Sequence, residues 1–242
     1  MPHAAPRRIH VPQIHKGQVP LASEQAHHAR KVLRLEDGAA VEVFDDAGRV
    51  ASGVLLHHGA TGAAVRVESA ISGPSTDFSL TIAAAIPKGE RADWMIEKLS
   101  ELGVGMFIPL AAARSVVLPE GRNKHERWVR IATESAKQSR RAGTMQIAPL
   151  TPLADAVAAL NGTAWVLSTQ DNAEPIAQLA RSVAASLTAF IGPEGGWTDE
   201  ELAAFLRAHV TPVHLTETVL RVETAAIAAA AVIQMLVSSG KP

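Results

Sequence analysis

The chain has 242 residues, 47% of them hydrophobic and 19% charged, with a formal net charge of −1. At roughly 100–200 residues per domain, that length predicts one large or two unequal domains, each with a buried core. The balanced charge gives no global attraction for nucleic acid, and the absence of cysteine excludes disulfides, thiolate catalysis and cysteine-held zinc. The N-terminus, with His3, Arg7, Arg8 and His10, lacks the apolar core of a secretion signal. The longest apolar run, Ala225 to Val237 broken by Gln234, is too short to span a bilayer of about 30 Å. A soluble, cytoplasmic chain without a membrane segment or a bound metal is expected.

The first 72 residues read as a small β-rich domain. Arg7 to Val11 and Val41 to Phe44 alternate polar and apolar, and Val50 to Leu56 and Ala63 to Val67 read as further strands, with turns at Asp37-Gly38 and Asp45 to Gly48. Ser23 reads as the cap of a helix from Glu24 to about Leu33. Short strands with turns this close together predict a small barrel. The stretch Ser72 to Thr76 reads as a linker.

From residue 77 onward the rhythm changes. Apolar runs at Leu80–Ile86, Met106–Leu110, Ala164–Leu167, Ser186–Ile191 and Val213–Leu215 alternate with helix-length segments, the pattern of an α/β domain with a largely parallel sheet. Asn123 with Glu126 and Thr198 with Glu201 both match a capping box, and Thr151-Pro152 places a cap residue before proline. The last helix is apolar on nearly every face, so it is buried either within the chain or against a second subunit.

Two strand-end loops carry the chemistry. Gly192-Pro193-Glu194-Gly195-Gly196 follows an apolar strand and precedes the capped helix at Thr198. Ligands of open α/β sheets sit beyond the carboxyl ends of strands, where glycines let the backbone come close. The glycines do not satisfy G-x-G-x-x-G, and no P-loop is present, so no standard phosphate cradle is predicted. Leu220-Arg221-Val222-Glu223-Thr224 lies between the last strand and the last helix. Its arginine either pairs with Glu217 or Glu223 or holds an electron-rich substrate group.

Taken together and in this order, these two loops closely resemble the RsmE family of SPOUT-class methyltransferases. Further matching blocks are Pro87 to Arg91, Lys98 to Val104, Arg114-Ser115, Arg127-Trp128 through Arg140, and His27 to Arg34. Two small departures are Ala136-Lys137 before Gln138, where an acidic residue is common, and Val222 in place of a more polar residue. The resemblance implies a PUA-like β-barrel over residues 1–72 and an α/β SPOUT domain with a trefoil knot over 77–242. It also implies a homodimer that uses S-adenosylmethionine to methylate N3 of a uridine in 16S rRNA of the small ribosomal subunit. By analogy the cofactor contacts Leu167 and Ser168, then Ile191, Gly192, Pro193, Glu194, Gly195 and Gly196, then Leu215, Leu220, Arg221, Thr224 and Ala225.

Arg221 is the expected stabiliser of the uracil anion, with Glu194 or Glu223 either assisting deprotonation or ordering a loop. Residues 1–34 carry six basic side chains against Glu24, and residues 122–141 carry seven, from Arg122 to Arg141, against Glu126 and Glu134. Such clusters suit phosphate contacts. The expected RNA contacts are Arg7, Arg8, Arg30, Lys31, Arg34, Lys88, Arg91, Arg114, Arg140 and Arg141. With no tyrosine and 4% aromatic residues, extended base stacking is not expected. The competing readings are a non-catalytic RNA-binding or ribosome-assembly factor, and a knotted methyltransferase acting on another rRNA or tRNA nucleotide.

Overall fold

The computed structural model describes residues 6–59, 61–73, 78–118, 122–170, 172–179 and 185–239. The chain divides into two compact units, one of residues 1–76 with 136–144, the other of 77–135 with 145–242.

The first unit contains β1 (Arg7–His10), β2 (Gly17–Pro20), α1 (Ser23–His27), β3 (Ala40–Phe44), β4 (Val50–His58) and β5 (Gly62–Val67). They form one sheet in the order β1-β3-β4-β5-β2, in which only the β1–β3 pair is parallel. Period-two alternation sends Val41, Val43, Ala51, Leu55, Val65 and Val67 into a single core shared with Ile9 and Val19. β2 escapes the alternation signal because Val19 is its one buried residue. The helix begins at Ser23 itself, with Ala22 as a cap that makes no side-chain bond, so the serine is not the cap. It then widens into a π-helical turn over His28–Val32, where the Leu33 amide reaches the His28 carbonyl at 3.0 Å. Ser72 pairs with Val50, and the remainder of the expected linker, from Pro74 on, lies outside the described residues.

The turn after β3 is built on Asp45, which is fully buried. Its carboxylate accepts from the amides of Ile14, Ala47 and Arg49 and from the Arg49 guanidinium, at 2.8–3.1 Å. Segment 136–144 joins this unit through the same neighbourhood. Arg8 Nη1 donates to the Arg141 carbonyl at 2.8 Å, and the Thr144 hydroxyl donates to Asp46 at 2.6 Å.

The second unit contains β6 (Ser79–Ala84), α2 (Arg91–Glu101), β7 (Met106–Ala111), most of α3 (Arg122–Gln138), β8 (Gln146–Ile147), β9 (Thr151–Pro152) and α4 (Leu153–Ala158). It continues with β10 (Thr163–Leu167), β11 (Glu174–Pro175), α5 (Ile176–Leu179), β12 (Ser186–Ile191), α6 (Asp199–Arg207), β13 (Thr211–His214) and α7 (Val222–Ser239). Every pairing is parallel, in the order β11-β13-β10-β12-β6-β7-β8, with β9 against β7.

A parallel sheet covered on both faces needs apolar residues on both, which is why its strands read as continuous runs. Leu187, Ala189 and Ile191 of β12 face a core shared with α2, α3 and α7, whereas Phe190 faces α4 and α6 with Leu153 and Phe205. α2 turns Ala92, Met95, Ile96 and Leu99 inward at helical spacing. α7 lies alongside α2 in the same direction, tied at one end by Arg91–Glu223 and at the other by Gln234 Nε2 to the Gly103 carbonyl at 3.0 Å. Alanines 225, 226, 229 and 230 make this close approach possible. Among the described residues no helix is long and apolar enough to cross a membrane.

The expected capping box forms at α6, with Glu201 N donating to Thr198 Oγ1 at 3.2 Å and Thr198 N to Glu201 Oε2 at 2.9 Å. It does not form at Asn123, because α3 is already helical at Arg122. At α4 the cap is Pro152, one residue later than expected; Thr151 pairs with Leu110, and its hydroxyl donates to the Pro149 carbonyl.

Candidate active site

β13, β10 and β12 are neighbours, and β12 enters between β10 and β6, both of which precede it in the chain. The segments leaving the carboxyl ends of these three strands therefore converge. Between them lies a cavity of about 550 Å³, lined by 167–170 after β10, 191–197 after β12 and 213–216 with 218–222 after β13. Its position outside the carboxyl ends, at a reversal of strand order, is that of ligand sites in open α/β sheets. Its volume falls within the roughly 300–1,000 Å³ of small-molecule sites.

Leu167, Ile191, Leu215, Leu220 and Ala225 give the cavity apolar walls, while Ser168, Gln170, His214, Thr216 and Arg221 give it polar ones. Such a mixed lining suits a small ligand with both apolar and polar parts. Of the residues expected to hold a cofactor, Leu167, Ser168, Ile191, Gly192 to Gly196, Leu215, Leu220, Arg221 and Ala225 all border the cavity. Thr224 does not; it is exposed on the outer side of the first turn of α7. Thr169, Gln170, Trp197, Leu202, Val213, His214, Thr216, Thr218, Val219 and Val222 also line it and were not expected. Each directly adjoins an expected residue, lies in the same strand-end segment or, for Leu202, lies within the first turn of the helix after it.

The glycine-rich loop is a tight turn in which the Gly196 amide donates to the Pro193 carbonyl at 2.8 Å. Gly196 itself adopts φ +72°, a conformation that favours glycine. A Cβ on Gly192 would come within 2.9 Å of the Trp197 ring. That ring meets Phe205 edge-on at 4.9 Å, and its Nε1 reaches the Leu167 carbonyl at 3.4 Å. Beside it, the Glu200 carboxyl is held below its ordinary value, first by its own backbone N–H at the start of α6 and then by the Thr198 hydroxyl.

Arg221 is exposed on the cavity rim, and its side chain has no hydrogen-bond or ion-pair partner among the described residues. Glu194 borders the cavity and is exposed. Glu223 is placed differently from the expectation. It is buried, its Oε1 accepts from Arg91 Nη1 at 3.3 Å, and it does not line the cavity. One turn of helix directs it toward α2 while Arg221, before the helix, stays on the rim.

The expected RNA contacts separate by what their side chains already bind. In the first unit Arg7, Lys31, Arg34 and Arg140 are exposed. Arg8 is not presented to solvent: its side chain is 5% exposed, pairs with Glu42 at 2.6 Å and lies over the Phe44 ring. Arg30 donates to the carbonyls of Gly59 and Gly62. Arg141 is half-buried, and burial lowers its guanidinium pKa to about 10. In the second unit Lys88 is exposed, Arg91 is engaged by Glu223, and Arg114 Nη1 is engaged by the carbonyls of Gly195 and Trp197. Nothing is described of the Arg122 side chain. Counting charges in the sequence cannot separate a guanidinium used internally from one left free.

Residues 74–234 match the RNA methyltransferase domain family, and residues 21–68 the RNA methyltransferase PUA domain. The ribosomal RNA small subunit methyltransferase E of Synechocystis is 35% identical over 232 residues, covering 94% of this chain and 76% of that protein. Its counterpart in Mycobacterium bovis is 34% identical over 228 residues, covering 89% of this chain and 85% of that protein. Among solved structures, a ribosomal RNA small subunit methyltransferase E from Neisseria gonorrhoeae bound to S-adenosyl methionine superposes with a TM-score of 0.84. It shares 25% identity and covers 96% of this chain and 98% of that one. With these matches spanning nearly the whole sequence, the chain belongs to the ribosomal RNA small subunit methyltransferase E family.

Proposed function

We propose that this chain transfers a methyl group from S-adenosylmethionine to N3 of a uridine in 16S rRNA of the small ribosomal subunit. The observation that carries the reading is the convergence of three strand-end loops on one cavity with an unpaired arginine at its rim. S-adenosylmethionine, when bound, supplies a methyl group on a sulfonium that leaves as a neutral thioether. The backbone of 191–196 and the apolar side chains of Leu167, Leu215 and Leu220 hold and orient it. Orientation of this kind is worth about 7–11 kcal/mol in well-aligned reactants. Uridine N3 must shed its proton before or during attack, and Arg221, always charged and free of an internal partner, faces the resulting anion. Glu194 is the carboxylate left at the cavity to take the proton.

The exposed basic residues Arg7, Lys31, Arg34, Lys88 and Arg140 hold the RNA through its phosphates. Arg8, Arg30, Arg91, Arg114 and Arg141 have their side chains or burial committed elsewhere. The same reading gives the second unit the trefoil knot that the family resemblance implies. The half-buried apolar face of α7, with Ile227, Val232 and Leu236, covers a second copy in a homodimer. The protein works in the cytoplasm, where its substrate is assembled.

The test is transfer of labelled methyl from S-adenosylmethionine to 30S particles and to naked 16S rRNA, followed by mapping of the modified base. Label at uridine N3 is expected. Label at a ribose or in tRNA moves the protein to another substrate. Rescue of subunit assembly with no transfer makes it a non-catalytic factor.

A further inference from the structure

We propose that Arg114 is a positioning residue for the cofactor loop, the key of a closed brace that fixes the shape of 193–198 from outside the cavity. The inference rests on the proposed use of that loop to hold S-adenosylmethionine.

The brace is made of five links. Arg114 Nη1 donates to the Gly195 carbonyl at 2.8 Å and to the Trp197 carbonyl at 3.2 Å. The amide of Thr198 donates to Glu201 Oε2 at 2.9 Å, and the other oxygen of the same carboxylate accepts from the Ala113 amide at 2.8 Å. Ala113 is the neighbour of Arg114, so the circuit closes. The fifth link, from the Ala112 amide to the Ser115 hydroxyl at 3.0 Å, keeps the arginine's own turn in shape.

Two peptide planes of the loop are thereby pinned on both edges. The unit joining Gly195 to Gly196 has its carbonyl on Arg114 and its N–H on the Pro193 carbonyl. The unit joining Trp197 to Thr198 has its carbonyl on Arg114 and its N–H on Glu201. A glycine-rich turn has wide conformational freedom, so fixing its planes before a ligand arrives removes an ordering cost from binding. The arginine also fits by shape: a Cβ on Gly195 would lie 3.2 Å from Arg114 Cβ and 3.3 Å from its Cδ. Its methylenes therefore pack where a side chain at 195 would stand. Both bonds leave one nitrogen, whose N–H groups the rigid guanidinium plane fixes in direction, which the freely rotating ammonium of lysine does less well.

The experiment compares the parent chain with Arg114→Met and Arg114→Lys, measuring S-adenosylmethionine affinity by calorimetry, rRNA affinity by filter retention at fixed salt, and thermal stability. Arg114→Met is expected to weaken S-adenosylmethionine binding roughly tenfold to a hundredfold, the range for charged hydrogen bonds. rRNA retention should stay within about twofold, and KM for the cofactor should rise more than kcat falls. Arg114→Lys should recover part of the affinity, and decides the matter if the methionine variant fails to fold. Cofactor affinity within about twofold of the parent in both variants, or a loss confined to rRNA retention, overturns the brace and makes Arg114 a phosphate contact or a bystander. If the parent itself binds no S-adenosylmethionine, the proposed function falls with it, and the parent titration tells the two failures apart.

Discussion

Gly192→Ala tests whether the cofactor loop is shaped by the tryptophan behind it. The new Cβ would stand 2.9 Å from Trp197 Cε2, closer than such contacts occur, and 3.2 Å from Cζ2 and Nε1. Either the loop or the ring must move. The ring is held edge-on to Phe205 at 4.9 Å and reaches the Leu167 carbonyl. Overpacking of this kind costs about 1–3 kcal/mol. At about 2–4 °C per kcal/mol for a unit of this size, thermal unfolding should shift down by roughly 2–12 °C. Cofactor affinity, read by calorimetry, should fall with it, because Gly192 and Trp197 both line the cavity. Trp197→Leu removes the obstruction at its own cost in packing, so the double variant should be more stable than the two single losses predict, by about 0.5–3 kcal/mol of coupling. Gly196→Ala is the comparison: apart from its two chain neighbours no atom lies within 4 Å of its Cβ, but φ is +72°, so its loss should come from backbone strain and not from a clash across the loop. Strictly additive losses in the Gly192→Ala/Trp197→Leu double variant would refute the steric reasoning.

Two further outcomes are expected. Arg221→Ala should lower kcat by about 10²–10³, the usual effect of removing a preorganised partner of a developing anion, and Arg221→Lys should restore only part of it; unchanged single-turnover rates would remove Arg221 from the chemistry. In the first unit the Asp46 carboxyl is held below its ordinary value, chiefly by the hydrogen bond from His10 at 2.8 Å and then by the Thr144 hydroxyl. A carboxyl whose pKa is depressed by folding contributes stability that is complete above its unfolded value, about pH 4, and is lost as pH falls through the folded value. Urea midpoints taken from pH 6 down to pH 3 should therefore fall less steeply below pH 4 in Asp46→Asn than in the parent, and parallel profiles would contradict this.

The parallel sheet was legible because its strands are buried on both faces and therefore read as runs. Leu187 to Ile191 is apolar but for Thr188 and serves two different cores, one toward Ala226 and one toward Phe205. The start of α6 was legible because Thr198 and Glu201 satisfy each other locally. Where the partner is distant, the sequence is silent. The alternation of β1 does not reveal that Arg8 pairs with Glu42 and caps the Arg141 carbonyl while Arg7 stays free, since the partners lie up to 133 residues away. β2 is an edge strand with one buried residue, and edge strands carry little pattern. The π-helical turn depends on where Leu33 finds its acceptor, which no periodicity encodes. At the site, the glycine loop and Arg221 stood out as residue types, whereas the brace from Arg114 joins positions more than 80 residues apart and appears only when the loops meet.

The placement of Glu223 bears on how the proposed reaction handles its proton. A carboxylate directed toward α2, with Arg91 on one oxygen and no place in the cavity lining, is poorly placed to exchange protons there. Removing it from the chemistry leaves Glu194, exposed at the mouth, and solvent as acceptors. In the proposed reaction the larger task falls on the cation. A guanidinium facing the uracil would make the deprotonated base more accessible at neutral pH, because it stabilises the anion and does little for the neutral form. The sequence ahead of α7 separates these duties by two residues: Arg221, before the helix, stays on the rim, and Glu223, within its first turn, is carried inward to fasten α7 to α2. The same short motif thus sets both the charge presented to the substrate and the scaffold that holds that charge in place.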